Sequence, residues 1–120
     1  MCAGASSARA PTMPERRVRW TETARRDLDA IVDYIAADSI ENALTVLDRL
    51  QARAGSLTVA AERGRVVPEL RVVDVHQYRE VIERPWRILY RIDDDTVLVL
   101  AVLDGRRELR SLVLERLLRS

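Results

Sequence analysis

All 20 basic side chains of this 120-residue chain are arginine, and lysine is absent. A guanidinium binds carboxylate or phosphate through a planar fork of N–H donors and keeps its proton near neutral pH. Arginine can therefore hold an anion here, while any proton transfer must fall to another residue type. The arginines singled out by position are Arg65, Arg79, Arg87, Arg106 and Arg107. Arg79, Arg87 and the Arg106/Arg107 pair lie on or beside the last three strands of the pattern and are expected to converge on one concave face. The alternative is a set of solvated strand charges paired with Glu80, Glu83 and Asp104. Arginine bias also follows from a GC-rich genome, so composition alone assigns these residues no role. The proton-transfer candidates are few. His76 is the only histidine; the expected reading is an ordinary loop residue, with a base facing the arginines as the alternative. Tyr90 alternates with Trp86 and Ile88 and is expected to face the core, Tyr78 stays open, and Glu69 or Glu80 is a possible carboxylate base. Trp20 and Trp86 can stack bases, but at strand ends beside helices core packing is the expected role.

These side chains need a frame, and the hydrophobic periodicity supplies one. Arg17-Val18-Arg19-Trp20 alternates as a short strand. Thr21 follows as an N-cap with Glu22 in the first turn, where the helix dipole favours an anion. Ala24, Leu28, Ile31, Val32 and Ile35 then recur at helical spacing up to about Ala37. Asp38 with Glu41 resembles a capping box. A second apolar stripe runs through Ile40, Ala43, Leu44, Leu47, Leu50, Ala54 and Leu57, giving a helical hairpin with almost no linker. The period then changes. Residues 78–83 read as a strand, Pro85 marks a turn or strand start, and 86–92 alternate again. Asp93-Asp94-Asp95 is a polar turn. Thr96 to Leu103 is a nearly continuous apolar run, as in a strand buried on both faces. From Arg107 onward the apolar residues return at helical spacing. The expected fold is α+β: an N-terminal strand, a two-helix hairpin packed on an antiparallel sheet of about four strands, and a short C-terminal helix. Residues 1–15 are expected to form a flexible tail and 16–120 a single domain.

Composition narrows the function classes. With 48% hydrophobic residues but no Phe, two Trp and three Tyr, the core must be mainly aliphatic. The net charge of +1 argues against a general nucleic-acid coat. One cysteine, Cys2, makes an internal disulfide impossible and fits a reducing cytoplasm. No metal-ligand cluster or apolar run of membrane-spanning length is seen, and neither a metal nor another cofactor is expected.

Six segments, in order, resemble the RelE/ParE toxin superfamily: Val18-Arg19-Trp20-Thr21 with Ala24 and Asp27-Leu28; Asp33-Tyr34-Ile35; Gly64-Arg65-Val66-Val67-Pro68-Glu69-Leu70; Tyr78-Arg79-Glu80; Trp86-Arg87-Ile88-Leu89-Tyr90-Arg91-Ile92; and Val99-Leu100-Ala101-Val102-Leu103-Asp104-Gly105-Arg106-Arg107. The likeness covers roughly residues 17–110. It implies a bacterial, cytoplasmic toxin of a type II toxin–antitoxin pair, of the kind that stabilises plasmids. A cognate antitoxin would hold it in a hetero-oligomer, docked along the hairpin and sheet. The last helix is apolar nearly all round, so Leu109, Leu112 and Val113 are the expected antitoxin contacts, with a second copy as the other possible cover.

The resemblance implies two modes of action. RelE-like members are ribosome-dependent mRNA interferases, here metal-independent with Arg79, Arg87, Arg106 and His76 as the catalytic set; Arg87 matches a phosphate-contacting arginine of those nucleases. ParE-like members inhibit DNA gyrase without a nuclease site, and Arg65, Arg79, Arg87, Arg106 and Arg107 would then be target contacts. Nuclease members often carry His or Lys, and Tyr, at and just beyond the end of the last strand. This chain has Leu103-Asp104-Gly105-Arg106-Arg107 there. Asp104 stands where many relatives have His, and a carboxylate would repel phosphate. The expectation is a ParE-like, non-enzymatic toxin. The alternatives are the interferase and a degenerate member that only binds its antitoxin to repress their shared promoter.

Overall fold

In a computed structural model the described residues are 15–105. The expected N-terminal tail, the final helix, Arg106, Arg107, Leu109, Leu112 and Val113 therefore lie outside the described residues, apart from Glu15. The elements run β1 (Arg17–Trp20), α1 (Glu22–Ala36), α2 (Ile40–Gly55), α3 (Leu57–Ala60), a 3-10 turn (Ala61–Arg63), β2 (Arg65–Val66), α4 (Pro68–Arg71), β3 (Tyr78–Glu83), β4 (Trp86–Asp93) and β5 (Thr96–Asp104). They form one five-stranded sheet in the order β1-β5-β4-β3-β2. The α+β expectation holds, with two corrections. The sheet has five strands rather than about four, because the two-residue β2 pairs with β3. It is mixed rather than antiparallel, because β1 runs parallel to β5, the hairpin serving as the crossover that a parallel pair needs.

Thr21 fixes the junction of sheet and hairpin. Its Oγ1 accepts from the Ala24 amide at 3.1 Å, capping α1, and donates to the Val99 carbonyl at 3.0 Å. The expected capping box at Asp38 is corrected: Ser39 is the N-cap of α2, its Oγ accepting from Asn42 N at 3.1 Å. The hairpin covers one face of the sheet, where Ala24, Leu28, Leu50 and Ala54 pack on Ile88, Val99 and Val102. Trp20 and Trp86 pack against this same cluster, which gives them the core role. On the opposite face Val67 and Leu70, from the α4 segment, pack on Leu89, Leu100, Ala101 and Leu103. The strand expected to be buried on both faces is thus β5.

A bulge lets β5 serve both layers. Leu89 pairs with Ala101 but Tyr90 pairs with Val99, so Leu100 is the extra residue. Side chains alternate along a strand, and one inserted residue reverses the alternation. Val97 and Val99 face the hairpin before the bulge, and Val102 does so after it. Beyond Trp20, where β1 ends, the buried Asp27 of α1 supplies the missing acceptor: its Oδ2 takes the Val102 amide at 3.1 Å.

Candidate functional site

Arg87 lies on the sheet face opposite the hairpin, and it is buried, at 7% exposure. The pleat puts it there: it pairs with Ile82 on β3 and Leu103 on β5, while its neighbours Trp86 and Ile88 point to the hairpin. Glu80 and Ile82 share its face. Pro68 sits in the first turn of α4, a position that needs no N–H, and the turn aims Glu69 at the same point.

The Arg87 fork closes entirely on carboxylates. Nη1 and Nη2 each donate to a Glu69 oxygen at 2.7 Å, a bidentate pair, and Nε donates to Glu80 Oε1 at 2.6 Å. The second Glu80 oxygen accepts from Arg65 Nε at 2.5 Å across the β2–β3 pair. Glu80 itself is 1% exposed. A buried carboxylate is stable only when paired and hydrogen-bonded, and two guanidinium groups provide that. The hydrogen bond from Arg87 holds the Glu69 carboxyl below the usual carboxylate range, against the effect of its burial. Glu69 in turn holds Arg87 still more firmly protonated. Two cations and two anions make this network neutral.

Arg65 and Arg87 are brought together through Glu80, but the expected convergence of Arg79 with Arg87 is corrected. Arg79 pairs with Tyr90, whose ring belongs to the hairpin-side core, so alternation sends it to the other face. There its Nη1 donates to the Gly64 carbonyl at 2.7 Å. His76 stands in the loop before β3, its Nε2 2.8 Å from Asp74 Oδ1, a local contact outside the Arg87 network. Tyr90 is core, as its alternation predicts. Its hydroxyl donates to the Ala61 carbonyl at 2.5 Å and accepts from the Gly64 amide at 3.1 Å, and burial raises its pKa. Gly64 is required by this close approach, since a Cβ there would fall on the Tyr90 hydroxyl.

Sequence reasoning named Glu69 and Glu80 as possible bases and, in its alternative, paired the strand arginines with Glu80; it missed Glu69 as the bidentate partner of Arg87 and the burial of the pair, where solvated charges were expected. It also missed a second cluster, at the turn between β3 and β4. There Arg49 Nε donates to Glu83 Oε2 at 2.9 Å and Arg53 Nε to Glu83 Oε1 at 3.3 Å. The available signal was the i, i+4 spacing of Arg49 and Arg53 on the polar side of α2. Among the described residues no group of His, Cys, Asp and Glu is placed to hold a metal ion. No helix among them is long and apolar enough to cross a membrane.

The comparisons with known proteins agree with this fold. Residues 18–109 match the family described as the ParE toxin of the type II toxin–antitoxin system parDE. The chain is 30% identical over 94 residues to Toxin ParE3 of Caulobacter vibrioides, covering 78% of this chain and 90% of that protein. Among solved structures, the chromosomal ParDE toxin–antitoxin system of P. aeruginosa matches with a TM-score of 0.61 and 26% identity, covering 75% of this chain and 96% of the other. The toxin–antitoxin complex RelBE2 of Mycobacterium tuberculosis matches at 30% identity with a TM-score of 0.49, covering 75% and 98% respectively. The shared span takes in every described strand and both helices of the hairpin, and on that basis the chain belongs to the ParE toxin family of type II toxin–antitoxin systems, within the RelE/ParE superfamily.

Proposed function

We propose that this toxin acts by protein–protein contact on a topoisomerase such as DNA gyrase, without cleaving RNA, and that a cognate antitoxin neutralises it. The observation that carries the reading is the closed fork of Arg87. Cleavage through a 2′-hydroxyl needs a base for that proton, a cation for the charge that builds on phosphorus, and an acid for the leaving oxygen. Arg87 is the expected phosphate cation, and its donors are committed to Glu69 and Glu80 in a network of zero net charge. Opening it toward RNA would strand two carboxylates, one of them buried. Two of the described acid–base candidates are held away from the Arg87 network: His76 meets Asp74, and the Tyr90 hydroxyl is enclosed by Ala61 and Gly64. The ParE names of the similar proteins lean the same way.

An antitoxin partner is supported by the similar ParDE structure from P. aeruginosa, which is described as a toxin–antitoxin system. It is also supported by apolar side chains left exposed around the hairpin turn: Tyr34 at 82%, Ile40 at 69% and Leu44 at 55%. Leu109, Leu112 and Val113 remain proposed contacts for it, and deleting residues 108–120 should weaken antitoxin pull-down.

The deciding experiment induces the toxin, then measures gyrase supercoiling with purified components and mRNA integrity on ribosomes. Supercoiling should fail while mRNA stays intact. Ribosome-dependent mRNA cleavage with normal supercoiling would overturn the proposal in favour of the interferase.

A further inference from the structure

The turn end of the helical hairpin stands clear of the core. The cluster on the sheet takes side chains from α1 up to Val32 and from α2 only from Val46 onward. The residues between, 33–45, contribute nothing to that cluster. Tyr34 on α1 and Ile40 and Leu44 on α2 are exposed there. The turn end therefore leaves large apolar side chains in water, as surfaces that bind a partner do.

The charge around them has one sign. Between Arg26 and Arg49 the sequence holds six acidic residues and no arginine, in a chain with 20 arginines. Asp27 is buried and takes the Val102 amide. The other five, Asp29, Asp33, Asp38, Glu41 and Asp48, are exposed and make no ion pair with a described residue. By contrast Glu22, Glu62, Asp93 and Asp95, exposed on other parts of the fold, each meet an arginine. Like charge decides what fits such an end. DNA, RNA and anionic lipid are repelled by the five carboxylates, and a second copy of this chain would bring the same five against them. A protein surface that is cationic with apolar ground between its charges is complementary.

We propose that the turn end of the hairpin is the surface that meets the topoisomerase, with Asp33, Asp38 and Glu41 set against a cationic, DNA-holding surface of that enzyme and Tyr34, Ile40 and Leu44 covered in the contact. This rests on the target proposed above. An enzyme that handles duplex DNA must carry cationic surfaces, because the duplex bears one negative charge per roughly 1.7 Å of its axis. An antitoxin is under no such constraint, so charge complementarity favours the enzyme as the occupant. The unpaired carboxylates steer the encounter, and the exposed tyrosine supplies a large amphipathic contact. An antitoxin that covers the same end neutralises the toxin by excluding the enzyme.

The test uses the full chain and purified gyrase, with inhibition of supercoiling titrated against toxin concentration. Asp33→Asn, Asp38→Asn and Glu41→Gln together should raise the concentration needed by roughly tenfold or more. Asp93→Asn, Asp94→Asn and Asp95→Asn together remove the same charge at the turn between β4 and β5 and should leave it nearly unchanged. Tyr34→Ser should weaken inhibition while circular dichroism shows an intact fold. Affinity for gyrase, read by calorimetry, should fall with added salt more steeply for the wild type than for the hairpin triple variant. If that variant inhibits as well as wild type, or loses no more than the β4–β5 variant, the hairpin end is not the enzyme's. If it binds antitoxin poorly yet inhibits gyrase normally, the end belongs to the antitoxin alone. If Tyr34→Ser turns a dimer into a monomer in sedimentation while inhibition is unchanged, it belongs to a second copy. Either result overturns the assignment. Wild-type chain that leaves supercoiling untouched would instead remove gyrase as the target, and this proposal with it.

Discussion

Single side chains hold the site by satisfying each other, so their removal is informative in kind as well as size. Arg87→Ala leaves Glu69 and the buried Glu80 facing no cation from β4, and breaking a buried pair from one side costs about 3–5 kcal/mol. Urea unfolding should show that loss, and Arg87→Ala should lose growth inhibition through depleted folded protein. A variant of wild-type stability without toxicity would instead make Arg87 a direct target contact. Tyr90→Phe removes only an oxygen but strands the Ala61 carbonyl and the Gly64 amide, at a cost of roughly 2–3 kcal/mol. A change below about 0.5 kcal/mol would mean that neither hydrogen bond contributes. Much at this scale was legible. Tyr90 and the tryptophans follow alternation, which depends only on the chain's own period. The pairing of Arg87 with Glu80 was within reach, since both lie on the β3–β4 hairpin, but that Glu69 would close the fork was not legible, because it is set by α4 folding back across β3 and β4, a tertiary event with no local period.

Among the elements, length decided what the sequence revealed. Strands 78–83, 86–93 and 96–104 each carry enough alternating or continuous apolar residues to set a period, and the expected boundaries fall within a residue of those observed. β2 and α4, two and four residues long, are too short to carry one. The parallel pairing of β1 with β5 was illegible for another reason, since direction depends on how the hairpin crosses over. The bulge at Leu100 is the most consequential hidden feature, because it re-aims the far half of β5. Its open edge is completed by Asp27, and Asp27→Ala should cost about 1–3 kcal/mol by leaving the buried Val102 amide without that acceptor. Hydrogen exchange resolves this from general destabilisation: the Val102 amide should lose protection more than the Val97 amide does. Uniform loss across β5 would mean that Asp27 supports the fold without anchoring this strand.

For the molecule as a whole, the layers are tied at two carboxylates. Glu69 links α4 to β4, and Glu83 links α2 to the β3–β4 turn. Hydrogen bonds from Arg87 and from Arg49, respectively, lower both pKa values below the usual 4.5. In each case the folded value lies below the unfolded one, so the unfolded chain takes up these protons first as pH falls. The linkage therefore stabilises the fold fully above about pH 4.5 and is lost as pH drops through the folded values. Thermal midpoints should be nearly level from neutral pH down to about 5 and fall below it. The arginines on Glu83 are about half exposed, 48% and 47%, whereas Arg87 on Glu69 is buried, so the share of Glu83 should be the smaller and more easily screened by salt. The double variant Glu69→Gln with Glu83→Gln should start from a lower midpoint at neutral pH and decline less steeply in acid, because two of the protons that drive the loss no longer bind. Melting curves of both proteins between about pH 7 and 3 give the comparison. An acid limb of unchanged slope in the variant would place the acid-sensitive groups elsewhere and leave these two ties without a thermodynamic role.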